Sequence, residues 1–207
     1  MRVRVYVDGF NLYYRALKHT DHKWLNPLAL ARSLLDPGDA IDRVRYFTAR
    51  ISARAGDPEA PKRQQAYLSA LGTVPEVTVH YGRFLPKEKT RPLKDDPTRF
   101  VTVLDAEEKG SDVNLATFLL MDGWRDRYDA ALVLSQDTDL CEPLRAVRNE
   151  LGKIVGVVWL DGTEPGRRFR GCSSFIRHAT PARLRAAQFP PTMRNRDGRE
   201  IGKPDGW

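Results

Sequence analysis

Residues 130–140 read A-A-L-V-L-S-Q-D-T-D-L, and this stretch decides the fold. Ala130–Leu134 is too short for an apolar helix and has no polar side. That pattern predicts a strand covered by helices on both faces. Leu140–Leu151 then reads as a helix stopped at Gly152, and Ile154–Leu160 as a second buried strand. The same strand–turn–helix unit opens the chain. In R-V-R-V-Y-V-D-G-F-N (residues 2–11), Val3, Val5 and Val7 alternate with Arg and Tyr up to a turn at Asp8-Gly9, and Asn11–Lys18 has helical spacing. Strands alternating with helices in this way imply an α/β fold with a central, mainly parallel sheet and right-handed crossovers. Such sheets form their sites beyond the carboxyl ends of the strands, where Asp8 and Asp137 fall.

Working outward, Pro27–Leu35 and Pro58–Leu71 read as helices and Ile41–Ile51 as a β-rich run. Val77–Leu85 and Phe100–Leu104 read as strands flanking a polar surface connection, Pro86–Thr98. Val113–Met121 is an apolar helix with Ser111 as its expected N-cap. A short strand near Ser174–His178 and a helix at Pro181–Gln188 complete a domain over residues 1–188. Residues 189–207 hold two adjacent prolines and many charges, which makes a tail or an arm. Simple disorder is the plain expectation for so polar a stretch; against it, Ile201 and Trp207 are spaced as anchors for a docked arm, with Arg194, Arg196, Arg199 and Lys203 supplying positive charge.

The length of 207 residues suits one α/β domain plus a tail, and 41% apolar with 29% charged residues excludes wholesale disorder. The net charge is +7, and from Gly162 onward ten Lys/Arg face only four Asp/Glu. The basic surface is therefore separable from the acids upstream, and it suits a phosphate backbone. Cys141 and Cys172 lie far apart, and the four histidines form no zinc motif. No apolar run is long enough to span a bilayer, and the start lacks a secretion signal's apolar core. A cytoplasmic location with reduced thiols is the expectation.

The acids have local explanations. Asp8-Gly9 is a common turn pair, Asp137 and Asp139 suit a helix N-cap, and Asp112 follows Ser111 at a helix start. Their convergence at strand ends has a further meaning, because neighbouring carboxylates repel unless a cation lies between them. Oxygen donors suit Mg²⁺ or Mn²⁺, which activates water and screens a phosphate. Asn11, Ser135 and Thr138 are placed to add polar contacts, and Lys109 to bind phosphate.

V-Y-V-D-G-F-N-L, A-E-E-K-G-S-D-V-N-L-A and L-V-L-S-Q-D-T-D-L together resemble, in order and spacing, the NYN domains, relatives of the PIN-domain ribonucleases. The resemblance covers roughly residues 1–185. It implies a Rossmann-like, PIN-like α/β/α sandwich and a Mg²⁺- or Mn²⁺-dependent ribonuclease. By motif, Asp8, Asp112, Asp137 and Asp139 correspond to metal-binding, catalytic acids and Asn11 to a catalytic support. Glu108, Lys109, Ser135 and Thr138 are candidates for further support. Gln136 departs from the family's usual Gly, and its bulk is expected to narrow the site. Lys87, Lys89, Arg91 and Lys94 in the connection, and Arg167, Arg168 and Arg170, are the candidate RNA-binding residues. The expected partner is RNA, with DNA and a homodimer as open alternatives. The rival from another class is a catalytically silent RNA-binding or adaptor module. A phosphohydrolase with an aspartyl nucleophile fits poorly, since D-G-F-N lacks a second acid two residues on.

Overall fold

A computed structural model describes residues 1–207 except Arg54 and Arg196. In chain order the elements are β1 (Arg2–Asp8), α1 (Gly9–Leu12, continued by a π-helical turn over Tyr13–Leu17), α2 (Pro27–Arg32), β2 (Ala40–Thr48), α3 (Ala60–Leu71) and β3 (Val77–Tyr81). Then come β4 (Arg83–Pro92), β5 (Phe100–Lys109), α4 (Ser111–Trp124), β6 (Ala130–Leu134), α5 (Cys141–Asn149) and β7 (Ile154–Trp159). The last elements are α6 (Arg167–Cys172), β8 (Phe175–His178), α7 (Pro181–Ala186), β9 (Thr192–Arg194) and β10 (Glu200–Gly202).

Six strands form a sheet in the order β3-β2-β1-β6-β7-β8, and every pairing is parallel. The chain builds outward from β1 to β3, then returns to lay β6 on the other side of β1. The switch point therefore lies between β1 and β6, where Val7 pairs with Leu134. Alternation along the strands makes two cores. Val3, Val5, Val7, Leu132 and Leu134 face α1, α2, α3 and α7, whereas Tyr6, Ala131 and Val133 face α4, α5 and α6. All five residues of β6 are buried, as a strand covered on both faces requires.

The region over Pro86–Thr98 differs from the expected loop. It belongs to an antiparallel hairpin in which β4 and β5 pair from Arg83–Lys109 to Pro92–Phe100. No face of this hairpin is buried in a core, so the hydrophobic alternation that reveals a strand is missing. Cross-strand pairs bind it instead: Lys89 to Asp105 at 2.6 Å, Lys87 to Glu107 at 3.4 Å, and Thr90 to Thr102 at 3.1 Å. The expected strand Val77–Leu85 is broken at Gly82, where the chain leaves the sheet for the hairpin. A Cβ there would stand 2.2 Å from Glu108 Oε1 and 2.7 Å from the Lys109 carbonyl, so only glycine fits. α6 was not anticipated from the sequence.

After Phe189 the chain packs onto the body. Trp24 Nε1 donates to the Pro190 carbonyl (2.8 Å), and β9 and β10 form a small hairpin. Ile201 is buried in the first core, and Trp207 lies 5.7 Å from Tyr67 and 6.4 Å from Trp24 between ring centroids. Arg196, one of the basic residues of this stretch, lies outside the described residues. Among the described residues no helix is long and apolar enough to cross a membrane.

Candidate active site

The carboxyl ends of β1 and β6 form one rigid floor. Asp8 ends β1 and caps α1, its Oδ1 accepting from the Asn11 amide N–H at 2.9 Å. Its Oδ2 accepts from Ser135 Oγ at 2.9 Å, across the switch point. Ser135 Oγ in turn accepts from the Asp137 N–H (3.1 Å), and Asn11 Oδ1 accepts from the Gln136 N–H (2.9 Å). Three side chains, of Asp8, Asn11 and Ser135, thus tie the turn after β6 to the turn after β1. Burial pushes the Asp8 carboxyl up; the bonds from Asn11 and Ser135 oppose this, and the charge of Asp137 adds to it.

Asp112 stands at the start of α4. The cap position there is Gly110, not Ser111, because the chain must enter the helix with φ +102°, the left-handed region glycine tolerates. Ser111 is the first helical residue, and its Oγ donates to Glu108 Oε1 at 2.9 Å. Glu108 therefore spends one oxygen on the first turn of α4. Although solvent reaches Asp112, its carboxyl is pushed up to about 6. Crowding by the surrounding protein contributes most, followed by the charges of Asp8, Asp137, Glu108 and Asp139. Burial and like charge therefore act on Asp112 in the same direction.

The structure brings Asp8, Glu108, Asp112, Asp137 and Asp139 into one electrostatic neighbourhood, with Asn11 and Ser135 bonded into its floor. Asp137 Oδ1 also accepts from the Asp139 N–H at 3.0 Å, so its capping role is real as well. Thr138 and Asp139 are exposed in the single 3₁₀ turn Thr138–Leu140. Lys109 turns aside to bind Glu107 at 2.6 Å. The donors are all hard oxygens, as Mg²⁺ or Mn²⁺ prefers. As they stand, no group of three or more His, Cys, Asp or Glu among the described residues has the geometry to hold an ion. The chemistry of the donor set fits such a cation.

Gln136 does not narrow the site. Its side chain is 5% exposed and turns into the fold, where Oε1 accepts from the Leu160 N–H (3.0 Å) and Nε2 donates to Asp161 (3.2 Å). It clamps the end of β6 to the end of β7. Asp161 itself escaped the sequence reading, although the strand-end rule that selects Asp137 would have found it after β7. It pairs with Arg15 at 3.1 Å, and burial's upward push on its carboxyl is outweighed by Thr163, Gln136 and Arg15.

The basic candidates are not gathered at the acids. Lys87 and Lys89 are engaged by Glu107 and Asp105. Arg91 lies opposite Val101, about 26 Å along β5 from Lys109 at roughly 3.3 Å per residue, and Lys94 is in the tip beyond it. Arg167, Arg168 and Arg170 lie on α6, on the carboxyl side of the sheet after β7; Arg170 pairs with Glu164 and the other two are exposed.

Fold and site together define a Rossmann-like α/β/α domain with an acidic crevice at its switch point. The NYN domain family matches residues 2–179, and the chain belongs to that family, whose members are generally nucleases. It is 28% identical over 239 aligned positions to a curated protein of Pseudomonas putida named 6-hydroxy-3-succinoylpyridine 3-monooxygenase HspA, covering 100% of this chain and 75% of that one. A solved structure of a protein of unknown function from Vibrio parahaemolyticus shares the fold with a TM-score of 0.55. The match covers 87% of this chain and 93% of that one at 15% identity.

Proposed function

We propose that the chain is a Mg²⁺- or Mn²⁺-dependent ribonuclease. The observation that carries this reading is the gathering of Asp8, Asp112, Asp137 and Asp139 beyond the strand ends at the switch point, where Ser135 and Asn11 tie the turns after β1 and β6 together. Asp8, Asp112, Asp137 and Asp139 would hold the cation, which supplies charge neutralisation and an activated water when bound. Asp8 is held by Asn11 and Ser135, while Asp112 and Asp139 are exposed to solvent. Exposed Arg167 and Arg168 on α6 lie on the same side of the sheet and suit a phosphate backbone.

The test is purified protein offered RNA and DNA with Mn²⁺, Mg²⁺ or EDTA. Cleavage of RNA that EDTA stops and Asp112→Asn removes is the expected result. Binding of RNA without cleavage under every metal condition would leave the adaptor reading standing. A second reading, action on a small heteroaromatic molecule of the kind the Pseudomonas putida relative is named for, draws on the aromatic cavity beside the acids. Turnover of a hydroxypyridine in air with an electron donor, and none of RNA, would favour it.

A further inference from the structure

Beside the acidic crevice, between α1, α3 and the end of β2, the molecule forms a partly open cavity of about 480 Å³. That volume lies in the range of small-molecule sites. Its wall is aromatic, with Phe10, Tyr13, Tyr14, Tyr46, Tyr67 and Trp207 among its lining. The rings are already set at angles to one another: Tyr13 and Tyr14 are T-shaped at 5.3 Å, and Tyr67 and Trp207 are tilted at 5.7 Å. Tyr67 is buried, whereas Tyr14 is 54% exposed, so the aromatic surface runs from the interior to solvent.

The charged lining has a definite sign. Arg63 is paired with Asp57 and forms a neutral unit. Lys18 stands 5.2 Å from the Tyr14 ring centroid, and Lys23 Nζ donates to the Gly206 carbonyl at 3.0 Å. These two lysines face one further acid, Glu108, which the cavity shares with the crevice. Gly9 and Phe10, directly after Asp8, also line it, so cavity and crevice are contiguous.

We propose that this cavity is a binding site for a single planar aromatic ring carrying an anionic group, a chemistry common to nucleotides and to free heteroaromatic acids. Flat rings stack on aromatic side chains irrespective of their edge pattern, and the lysines supply the counter-charge. The site stands whether or not the neighbouring acids hydrolyse phosphodiesters.

The test follows the intrinsic tryptophan fluorescence of the full chain, to which Trp207 in the cavity wall and its neighbour Trp24 contribute, with EDTA present so that neither cleavage nor a bound cation takes part. Four probes are titrated: adenosine monophosphate, pyridine-3-carboxylate, uncharged adenosine and ring-free ribose 5-phosphate. A saturable response to one or both ring-bearing anions is expected, with weaker binding of adenosine and none of ribose 5-phosphate. A response to the nucleotide alone makes the source a nucleotide, and a response to the carboxylate alone makes it a free acid. Ala60→Phe, which fills the cavity from the first residue of α3, should abolish the response. Tyr14→Ala, at an exposed position that tolerates change, should weaken it by about fivefold or more. Failure of both ring-bearing anions to bind overturns the proposal, as does an equal response to ribose 5-phosphate or binding that both variants leave unchanged.

Discussion

Helix α4 carries two aspartates ten positions apart, about 15 Å along its axis, and the fold treats them in opposite ways. Asp122 is 4% exposed and surrounded by partners: Arg45 at 2.7 and 3.1 Å, Arg4 at 2.9 Å and the Tyr6 hydroxyl at 2.9 Å. Burial pushes its carboxyl up, but Arg45, Tyr6 and Arg4 outweigh that and hold it below its ordinary value. Asp112 reaches solvent, yet its carboxyl is raised to about 6 by crowding and by other acids. Where an acid serves the fold, the chain supplies its cations. Where acids are collected without them, a proton or an added cation relieves the repulsion, and the metal-dependent proposal rests on that contrast.

The comparison can be broken most forcefully at Asp122. Asp122→Ala leaves Arg45 and Arg4 part-buried without their common acceptor and should cost about 3–5 kcal/mol in urea unfolding. Replacing the group as a whole, Asp122→Leu with Arg45→Met, should recover much of that loss, because an apolar pair of similar volume needs no desolvation. A cost under about 1 kcal/mol for Asp122→Ala would mean that the network is no more than a surface pair. At the other end of the helix the expected effect is on turnover. Asp112→Asn and Asp137→Asn should each lower metal-dependent RNA cleavage by about 100-fold or more while the melting temperature holds or rises. Near-normal turnover in either variant would remove the acids from the chemistry.

The two regions also differ in how legible they were. The acids of the crevice could be read because each follows an apolar strand or opens a helix, and strand ends converge at a switch point by topology alone. Asp122 could not, since a charge inside the apolar run of α4 gives no sign of whether it meets solvent or an arginine on β2. Likewise A-A-L-V-L announces a buried strand, whereas P-K-E-K-T-R-P hides one, because a hairpin without a buried face is specified by cross-strand ion pairs rather than by alternation. Gln136 shows a third limit. Sequence gives its bulk but not its direction, and it points away from the site, into the β6–β7 clamp.

The carboxy-terminal segment offers a smaller effect that ties the comparison to the cavity. Ile201 and Trp207 stood out in a polar stretch, and both pack on the body. Trp207→Ala removes ring contacts with Trp24 and Tyr67 and should cost about 1–2 kcal/mol. Because Trp207 lines the proposed ring-binding cavity and not the acid floor, the effect on cleavage at saturating metal reports whether ring binding there contributes to turnover. A matching loss of metal-dependent turnover would show that the two regions act as one site.

The smallest expected effect is also the sharpest on whether Asp112 takes part in cation binding. The folded-state value of Asp112, raised to about 6, lies above the ordinary 3.8. The folded chain therefore holds the proton more tightly than the unfolded chain. That contribution to stability is fully present below about pH 4 and disappears as pH rises through 6. Asp122 has the opposite sign, with a stabilisation present near neutrality and lost as pH falls through its lowered value. In EDTA, then, Asp112→Asn should melt higher than the parent at pH 7, by less than about 2 °C because solvent screens the group, and the gap should close near pH 4. Adding Mn²⁺ or Mg²⁺ at pH 7 should raise the parent's melting temperature and leave the variant's nearly unchanged, because ion binding stabilises only a chain that retains the ligand. An equal rise in both proteins would place the cation elsewhere, and a parent that melts higher than the variant in EDTA would mean that Asp112 has found a positive partner within the chain.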